Sequence, residues 1–307
     1  MAEDLREVLA VVVTYHPDAG LAARLQAIRE QVGALVVVDN GSANLAEVVA
    51  AARSADARLV ANGANLGVAA ALNTGARIML DEGYAWLATF DQDSAIPPGA
   101  IAGLLALGAA LPAPERLAIL AMSRRDRVTG RDYHRRGDIL EETETWRRVR
   151  TTITSGGLVS RQALNGVGLF DEALFIDGVD HDFCLRCRAA GLLVVEAKDV
   201  AMDHAIGAIT RKRFLGREGV LTNHGPDRRY YITRNTLTLS ARHFVTDPVW
   251  ALREAAHLAV WNASAALFEQ DRAAKLTAMA QGAWDFTAGR LGPRLRRPRG
   301  AGRGGPA

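Results

Sequence analysis

The chain of 307 residues is 49% hydrophobic and 23% charged and holds only two cysteines. That balance buries a sizeable core without covalent staples and excludes collagenous, disordered and disulfide-framework proteins. Six arginines (Arg290, Arg294, Arg296, Arg297, Arg299, Arg303) follow Gly289 with no acid among them, leaving 31 basic against 34 acidic side chains in the body, so the formal charge of +3 belongs to a tail and gives no case for nucleic-acid binding.

The N-terminus carries both signs of charge and runs straight into an apolar strand, without the basic start and small-residue cleavage site of a secretory peptide. The longest apolar stretch, 101–111, is too short to span a bilayer. A cytoplasmic chain is expected, free to touch the inner face of the plasma membrane. Over the first hundred residues β-branched apolar runs predict strands at 8–14, 34–38, 58–61 and 86–90, separated by helical patterns at about 21–31, 45–53 and 68–82. This alternation predicts an α/β fold with a mostly parallel central sheet flanked by helices. Each strand ends in a polar cluster: Thr14-Tyr15-His16, Asp39-Asn40-Gly41-Ser42, Asn62-Gly63-Ala64-Asn65 and Asp91-Gln92-Asp93-Ser94. Ligands of open α/β sheets bind outside the carboxyl ends of the strands, so these four clusters converge on one crevice.

Farther along come a helix at about 98–111 and a strand near 117–122. The charged stretch 123–150, with turn signals at Thr129-Gly130 and Arg136-Gly137, reads as an exposed hairpin or loop. A short helix after Ser160, a helical pattern after Asp180, a strand near 192–196 and helices from Pro226 onward, including 250–268 and 272–287, complete the chain. Cys184 and Cys187 have Cys-x-x-Cys spacing, but no second pair accompanies them and they fall mid-helix, so they read as ordinary thiols, one of them packed inward.

Two carboxylates two residues apart, Asp91 and Asp93, project from a strand end, a spacing that suits a hard divalent cation whose other positions are filled by phosphate. Acids also end strands simply as turn residues. His204 closes another apolar run and offers an imidazole to the same metal; the plainer reading is a strand-end histidine with a backbone partner. Asn65-Leu66-Gly67 stands before a helix whose amino end favours phosphate.

Taken with Val12-Val13-Thr14-Tyr15, Val37 to Ser42, Asn62 to Asn73, Ser155-Gly156-Gly157-Leu158, Phe170-Asp171-Glu172 through Arg186, and Tyr230-Tyr231-x-x-Arg234-Asn235, these motifs make the chain resemble family 2 glycosyltransferases of the GT-A (nucleotide-diphospho-sugar transferase) fold. Within them it looks most like bacterial rhamnosyltransferases that use dTDP-L-rhamnose. The resemblance covers about residues 8–245. It implies that Thr14 and Asp39 line the nucleoside pocket, with Tyr15, Asn40 and Gln92 beside them, that Asn65 and Asp91 meet the nucleotide-sugar, and that Arg234 adds positive charge near the diphosphate. It places Asp93 and His204 on Mg²⁺ or Mn²⁺, and Asp180 as the catalytic base. Many relatives carry Glu before that Asp where this chain has Val179, which leaves Asp177 and Asp182 as competitors; these two acids and Tyr231 are assigned to the acceptor side.

The reaction so implied is an inverting, metal-dependent transfer of a sugar to a saccharide or lipid-linked saccharide in surface polysaccharide synthesis. The alternatives are a family 2 transferase with a UDP-hexose donor and a catalytically inactive glycan-binding relative. Three segments are expected: a GT-A domain at 1–245, a helical extension at 246–289 whose helix 250–268 serves packing or a homodimer, and the Arg/Gly/Pro-rich tail 290–307 as a contact for anionic lipid.

Overall fold

A computed structural model of the chain describes residues 5–126, 136–204, 210–214, 217–221 and 223–294; the side chains of 124–126, 136, 203, 204 and 210–221 lie outside that description. The first half forms as the alternation of residue types dictates. β1 (Val8–Thr14), β2 (Ala34–Asp39), β3 (Arg58–Ala61) and β4 (Trp86–Asp91) alternate with α1 (Leu21–Arg29), α2 (Leu45–Ser54) and α3 (Val68–Glu82). β1 and β2 are buried over nearly their whole length, as expected of strands covered on both faces.

α4 (Ala100–Ala110) leads to β5 (Leu117–Asp126), and the charged stretch beyond it supplies the hairpin β6 (Ile139–Glu142) and β7 (Trp146–Val149). Then follow β8 (Gly157–Ser160), α5 (Arg161–Val167), α6 (Val179–Ala189), β9 (Leu193–His204) and a small hairpin of β10 (Thr210–Phe214) and β11 (Arg217–Leu221). Among the described residues three helices follow: α7 (Pro226–Arg242), α8 (Pro248–Phe268) and α9 (Arg272–Thr287). The main sheet has the order β3-β2-β1-β4-β8-β5-β9-β7-β6.

The sheet is mixed more evenly than the residue pattern predicts. β3, β2, β1 and β4 run parallel, as do β5 and β9, whereas β8 is antiparallel to both β4 and β5 and the β6–β7 hairpin is added antiparallel to β9. The cause is the shortness of β8, whose four residues carry no period by which direction could be read. The hairpin also joins the main sheet instead of standing apart from it, because Arg147 of β7 is buried against Glu196 of β9.

Two apolar clusters cover the faces of the sheet, one under α1, α2 and α4 and the other under α3, α5 and α6. Both Cys184 and Cys187 are buried, so neither thiol of the pair faces outward, and burial pushes Cys187 up to about 12. α7 packs mainly on α9 and also on α8. Buried ion pairs lock these helices together: the Arg229 guanidinium bonds Glu269, whose other oxygen accepts from Lys275 Nζ at 2.8 Å, and Tyr230 donates to Asp285 at 2.7 Å. Among the described residues no helix is long and apolar enough to cross a membrane.

Candidate active site at the carboxyl ends of the strands

Register brings the strand-end residues together. Thr14 stands opposite Asp39 across the β1–β2 ladder, Asp39 opposite Ala61 across β2–β3, and Val13 opposite Asp91 across β1–β4. Asp39 is buried at 1% exposure, and its four hydrogen bonds all go to its own neighbourhood: Thr14 Oγ1 and Ser42 Oγ donate to Oδ1, and the Gly41 and Ser42 amides donate to Oδ2. Its carboxylate therefore shapes the crevice floor from below instead of standing free to read a base. Asn40 spans two turns, donating to the Gly67 carbonyl at 3.0 Å and accepting from Asn62 at 2.8 Å. Gln92 braces Tyr15 through both backbone groups, accepting from its amide at 2.7 Å and donating to its carbonyl at 3.2 Å, while the Tyr15 ring stays open to solvent.

Asn65 accepts from the Gly67 amide, closing a turn before α3. The amino end of that helix is not wholly open to phosphate, because the Val68 amide donates to the Phe175 carbonyl at 2.8 Å. Gly67 must be glycine: its φ is +90° and a Cβ would lie 2.5 Å from that same carbonyl.

Asp91 receives support that the strand-end pattern only hinted at. Its amide donates to Ser94 Oγ and to Ser155 Oγ, and these two hydroxyls are 2.6 Å apart. Ser155 arrives here because β8 runs antiparallel beside β4, with Gly157 opposite Thr89. Burial, then the charges of Asp93 and Asp180, push Asp91 up to about 6. Asp93 is exposed and, among the described residues, makes no hydrogen bond.

The segment before α6 holds the remaining acids. Gly178 caps α6, and Asp180 and Asp182 both lie in the first turn. Two residues along a helix is a rotation of about 200°, so these acids face opposite ways. Asp180 is near enough to Asp91 for its charge to push that carboxyl's pKa up; one of its oxygens accepts from the His181 amide, and among the described residues it has no ion pair. Asp182 turns into the protein, fully buried, where Arg186 donates to one oxygen at 2.8 Å while Arg242 (2.8 Å) and His243 (3.1 Å) meet the other. Burial would raise its pKa, but the His243 bond and the two guanidiniums outweigh burial and hold it well below the usual carboxylate range. This arrangement removes Asp182 from the acceptor side and from candidacy as base. Asp177 is clasped by Arg228, which donates to Oδ1 from Nη2 at 3.0 Å and also through Nε, while burial and the neighbouring Asp180 push its pKa upward.

Two further expectations are corrected. Arg234 does not reach a diphosphate: it is fully buried, its guanidinium bonded to the Gly292 carbonyl at 2.6 Å, the Leu174 carbonyl at 3.1 Å and Asn235 at 2.9 Å. Tyr231 is also buried, stacked 5.1 Å from Phe175 and accepting from the Arg294 amide, so it packs beneath the loop 171–178 and does not face solvent. The Tyr-Tyr-x-x-Arg-Asn motif is a clamp. Asn235 Nδ2 meets the carbonyls of Leu174, Ile176 and Asp177 at 2.7–2.9 Å, holding a turn in which Phe175 and Asp177 both have positive φ. The cation of the site is Arg228, half exposed in the first turn of α7 and close enough to lower Asp91's pKa. Sequence reading missed it because nothing local distinguishes one arginine of a helix's opening turn from another.

The side chain of His204 lies outside the described residues; its backbone pairs with Asp126 where β5 and β9 run out past the same edge of the sheet. Among the described residues no group of three or more His, Cys, Asp or Glu side chains is gathered closely enough to hold a metal ion.

A family model described as glycosyl transferase family 2 matches residues 10–165. The dTDP-rhamnosyl transferase RfbF of Shigella flexneri is 34% identical over 248 residues, 78% of this chain and 81% of that protein. Among solved structures, residues 1–349 of S. aureus TarS match with a TM-score of 0.54 at 13% identity, covering 94% of this chain and 93% of that one. GalNAc-T7 with UDP, GalNAc and Mn²⁺ matches with a TM-score of 0.53 at 14% identity, covering 92% and 57%. At such identities the two structures show a shared fold. Against a longer S. aureus TarS chain the protein spans 44% of the length.

Proposed function

The chain belongs to glycosyl transferase family 2, and on that premise we propose that it is an inverting rhamnosyltransferase, moving L-rhamnose from dTDP-L-rhamnose to a hydroxyl of a saccharide or lipid-linked saccharide in surface polysaccharide synthesis. The donor assignment is supported by the 34% identity to RfbF, a protein named for dTDP-rhamnosyl transfer. The observation that carries the chemistry is the division of labour among three neighbouring acids. Asp182 is paired with Arg186 and Arg242 and Asp177 with Arg228, which leaves Asp180 as the member of the three with no ion pair among the described residues, near enough to Asp91 to push its pKa up.

A free carboxylate at that place is what the reaction requires. An acceptor hydroxyl is a poor nucleophile at neutral pH, so Asp180 takes its proton as the acceptor oxygen bonds to the anomeric carbon. The bond from that carbon to the diphosphate breaks in the same displacement, the electron pair leaves with the nucleoside diphosphate, and the configuration inverts. Tyr15, held at its backbone by Gln92, presents an open ring at the nucleoside end. Arg228 offers positive charge beside the acids, where the diphosphate gathers negative charge.

The residues fit a divalent cation. Asp91 and Asp93 supply hard oxygen donors, and the burial and crowded negative charge that push Asp91 up to about 6 are what a bound cation would offset. Asp93 with His204 would hold Mg²⁺ or Mn²⁺, with Asp91 beside them. Bound there, the ion would supply Lewis-acid neutralisation of the departing diphosphate. A cytoplasmic position at the inner face of the plasma membrane, reached through the arginine-rich tail, accords with a lipid-linked acceptor; a homodimer through the C-terminal helices is the companion reading.

A donor screen tests the proposal. The protein with Mn²⁺ or Mg²⁺ is incubated with dTDP-L-rhamnose and with UDP- and GDP-sugars, and nucleotide release and thermal shift are followed. Preference for dTDP-L-rhamnose is expected; strict preference for a UDP-hexose would overturn the rhamnosyl assignment while sparing the fold.

A further inference from the structure

Tyr15 is tightly held for a residue whose side chain stays 46% exposed. The β1–β4 ladder pairs Val13 with Asp91 as its last rung, so the backbone of Tyr15 lies beyond it. The Gln92 side chain meets that backbone twice: Oε1 accepts from the Tyr15 amide at 2.7 Å and Nε2 donates to the Tyr15 carbonyl at 3.2 Å. A side-chain amide, which carries the same donor and acceptor as a peptide group, thus adds a rung to the ladder. Gln92 is fixed in turn from outside the sheet. Arg24 of α1 donates from Nε to the Gln92 carbonyl at 2.7 Å and is itself paired with Asp18 at 2.5 Å.

On the nucleoside placement given above, we propose that Gln92 is a positioning residue for the donor: it acts through Tyr15, setting that ring at the nucleoside end of the crevice, and does not itself bind the nucleotide. The motif pattern put Gln92 against the nucleotide-sugar, yet its amide oxygen and nitrogen are both engaged by Tyr15.

The rest of the loop is anchored without Gln92, toward β2. The His16 amide donates to Ser42 Oγ at 2.9 Å, the Ala43 amide donates to His16 Nδ1 at 3.0 Å, and Asn44 donates to the Pro17 carbonyl at 3.0 Å. The Tyr15 ring leans on the anchored His16 ring, with 4.2 Å between centroids. These bonds keep the loop in place, and Gln92 decides how Tyr15 leaves it. An aromatic ring supported at its backbone and on one side, and otherwise open, is a platform on which a nucleobase stacks. Gln92 also stands between Asp91 and Asp93, so one residue joins the base-side ring to the acids of the site. Glutamate would not serve in its place: an ionised carboxylate accepts from the Tyr15 amide but has no proton for the carbonyl.

The test is a double-mutant cycle read by calorimetric titration with thymidine monophosphate, which carries the base without the diphosphate, and with dTDP plus Mn²⁺. Gln92→Ala should weaken both ligands by the same factor, about five- to tenfold, and Gln92→Glu should follow it. Tyr15→Ala leaves the two backbone bonds in place and should weaken both ligands at least as much. In the Tyr15→Ala background Gln92→Ala should have no further effect, the non-additivity of two residues that act as one. In turnover of the donor, KM should rise while kcat stays near that of the parent. Additive losses would mean that Gln92 meets the nucleotide itself, and a loss confined to dTDP with Mn²⁺ would mean that it acts through the acids; either result overturns the proposal. A parent that binds neither nucleotide would overturn the donor reading and this inference together. A parent that binds both, with Gln92→Ala within about twofold of it, would overturn this inference alone.

Discussion

The two sides of the crevice are built by different means. On the donor side each polar strand end is tied within its own turn or to the next strand: Asp39 to Gly41 and Ser42, Asn65 to Gly67, Asn40 to Asn62. On the acceptor side, the loop from Asp171 to Gly178 is held by residues about sixty positions later, Arg234, Asn235 and Arg242, reaching back from α7. The strand ends of the first side thus follow from sheet register, whereas the loop 171–178, tied to α3 by the Val68 amide and by Asn73, is completed by α7. Backbone strain follows the same division. Phe175 and Asp177 hold positive φ at a cost of about 1–3 kcal/mol each, which the clamp from α7 offsets.

Substitutions can break each half of that contrast. The largest effect is expected from Asp180→Asn, which should lower kcat up to about ten-thousandfold while donor binding, followed by thermal shift, stays near that of the parent. Turnover within tenfold of the parent would move the base to Asp177. Next, Asp182→Asn leaves Arg186, Arg242 and His243 without their shared anion and should cost about 3–5 kcal/mol in urea unfolding. Its sign with pH follows from the depressed native pKa. The cluster's stabilisation is full above the unfolded value of about 4 and is lost as pH falls toward the lower native value, so the parent's stability drops on acidification and the variant's acid limb is flatter.

Asn235→Ala removes three contacts to the acceptor-side loop and should cost about 2 kcal/mol, with kcat falling and donor affinity unchanged. The smallest change is expected on the donor side, where Asn40→Ala should cost about 1 kcal/mol and weaken donor binding more than it slows turnover. If Asn40→Ala slowed turnover as much as Asn235→Ala, the two sides would not be separable in this way.

The same contrast explains which parts were legible in the sequence. Continuous apolar runs such as Val8–Thr14 and the glycine-bounded pattern Val68–Glu82 specify their own limits, because strand and helix are local consequences of residue order. Asp91 and Asp93 were visible for the same reason, as strand-end acids. The role of Arg234 was not, because a buried guanidinium bonded to carbonyls and an exposed one facing phosphate come from the same residue type in the same helix. Asp182 was separable from Asp180 only by where the turn of α6 starts, and that start is set by Gly178, whose φ of +87° lets the chain enter the helix while Leu239 of α7 packs over it. Arg228 was invisible because its partner Asp177 lies 51 residues away.

The grip of Asn235 on the carbonyls of Leu174, Ile176 and Asp177 also bears on motion. A loop tied to a buried helix through its backbone cannot fray by itself. It opens with its contacts to α7 and to the start of α3 broken together, so loop and helix behave as one cooperative unit, and their amides should exchange with solvent deuterium at a common free energy of opening. The rim of the crevice is then already set, with the Asp180 carboxylate held at the start of α6 before anything binds.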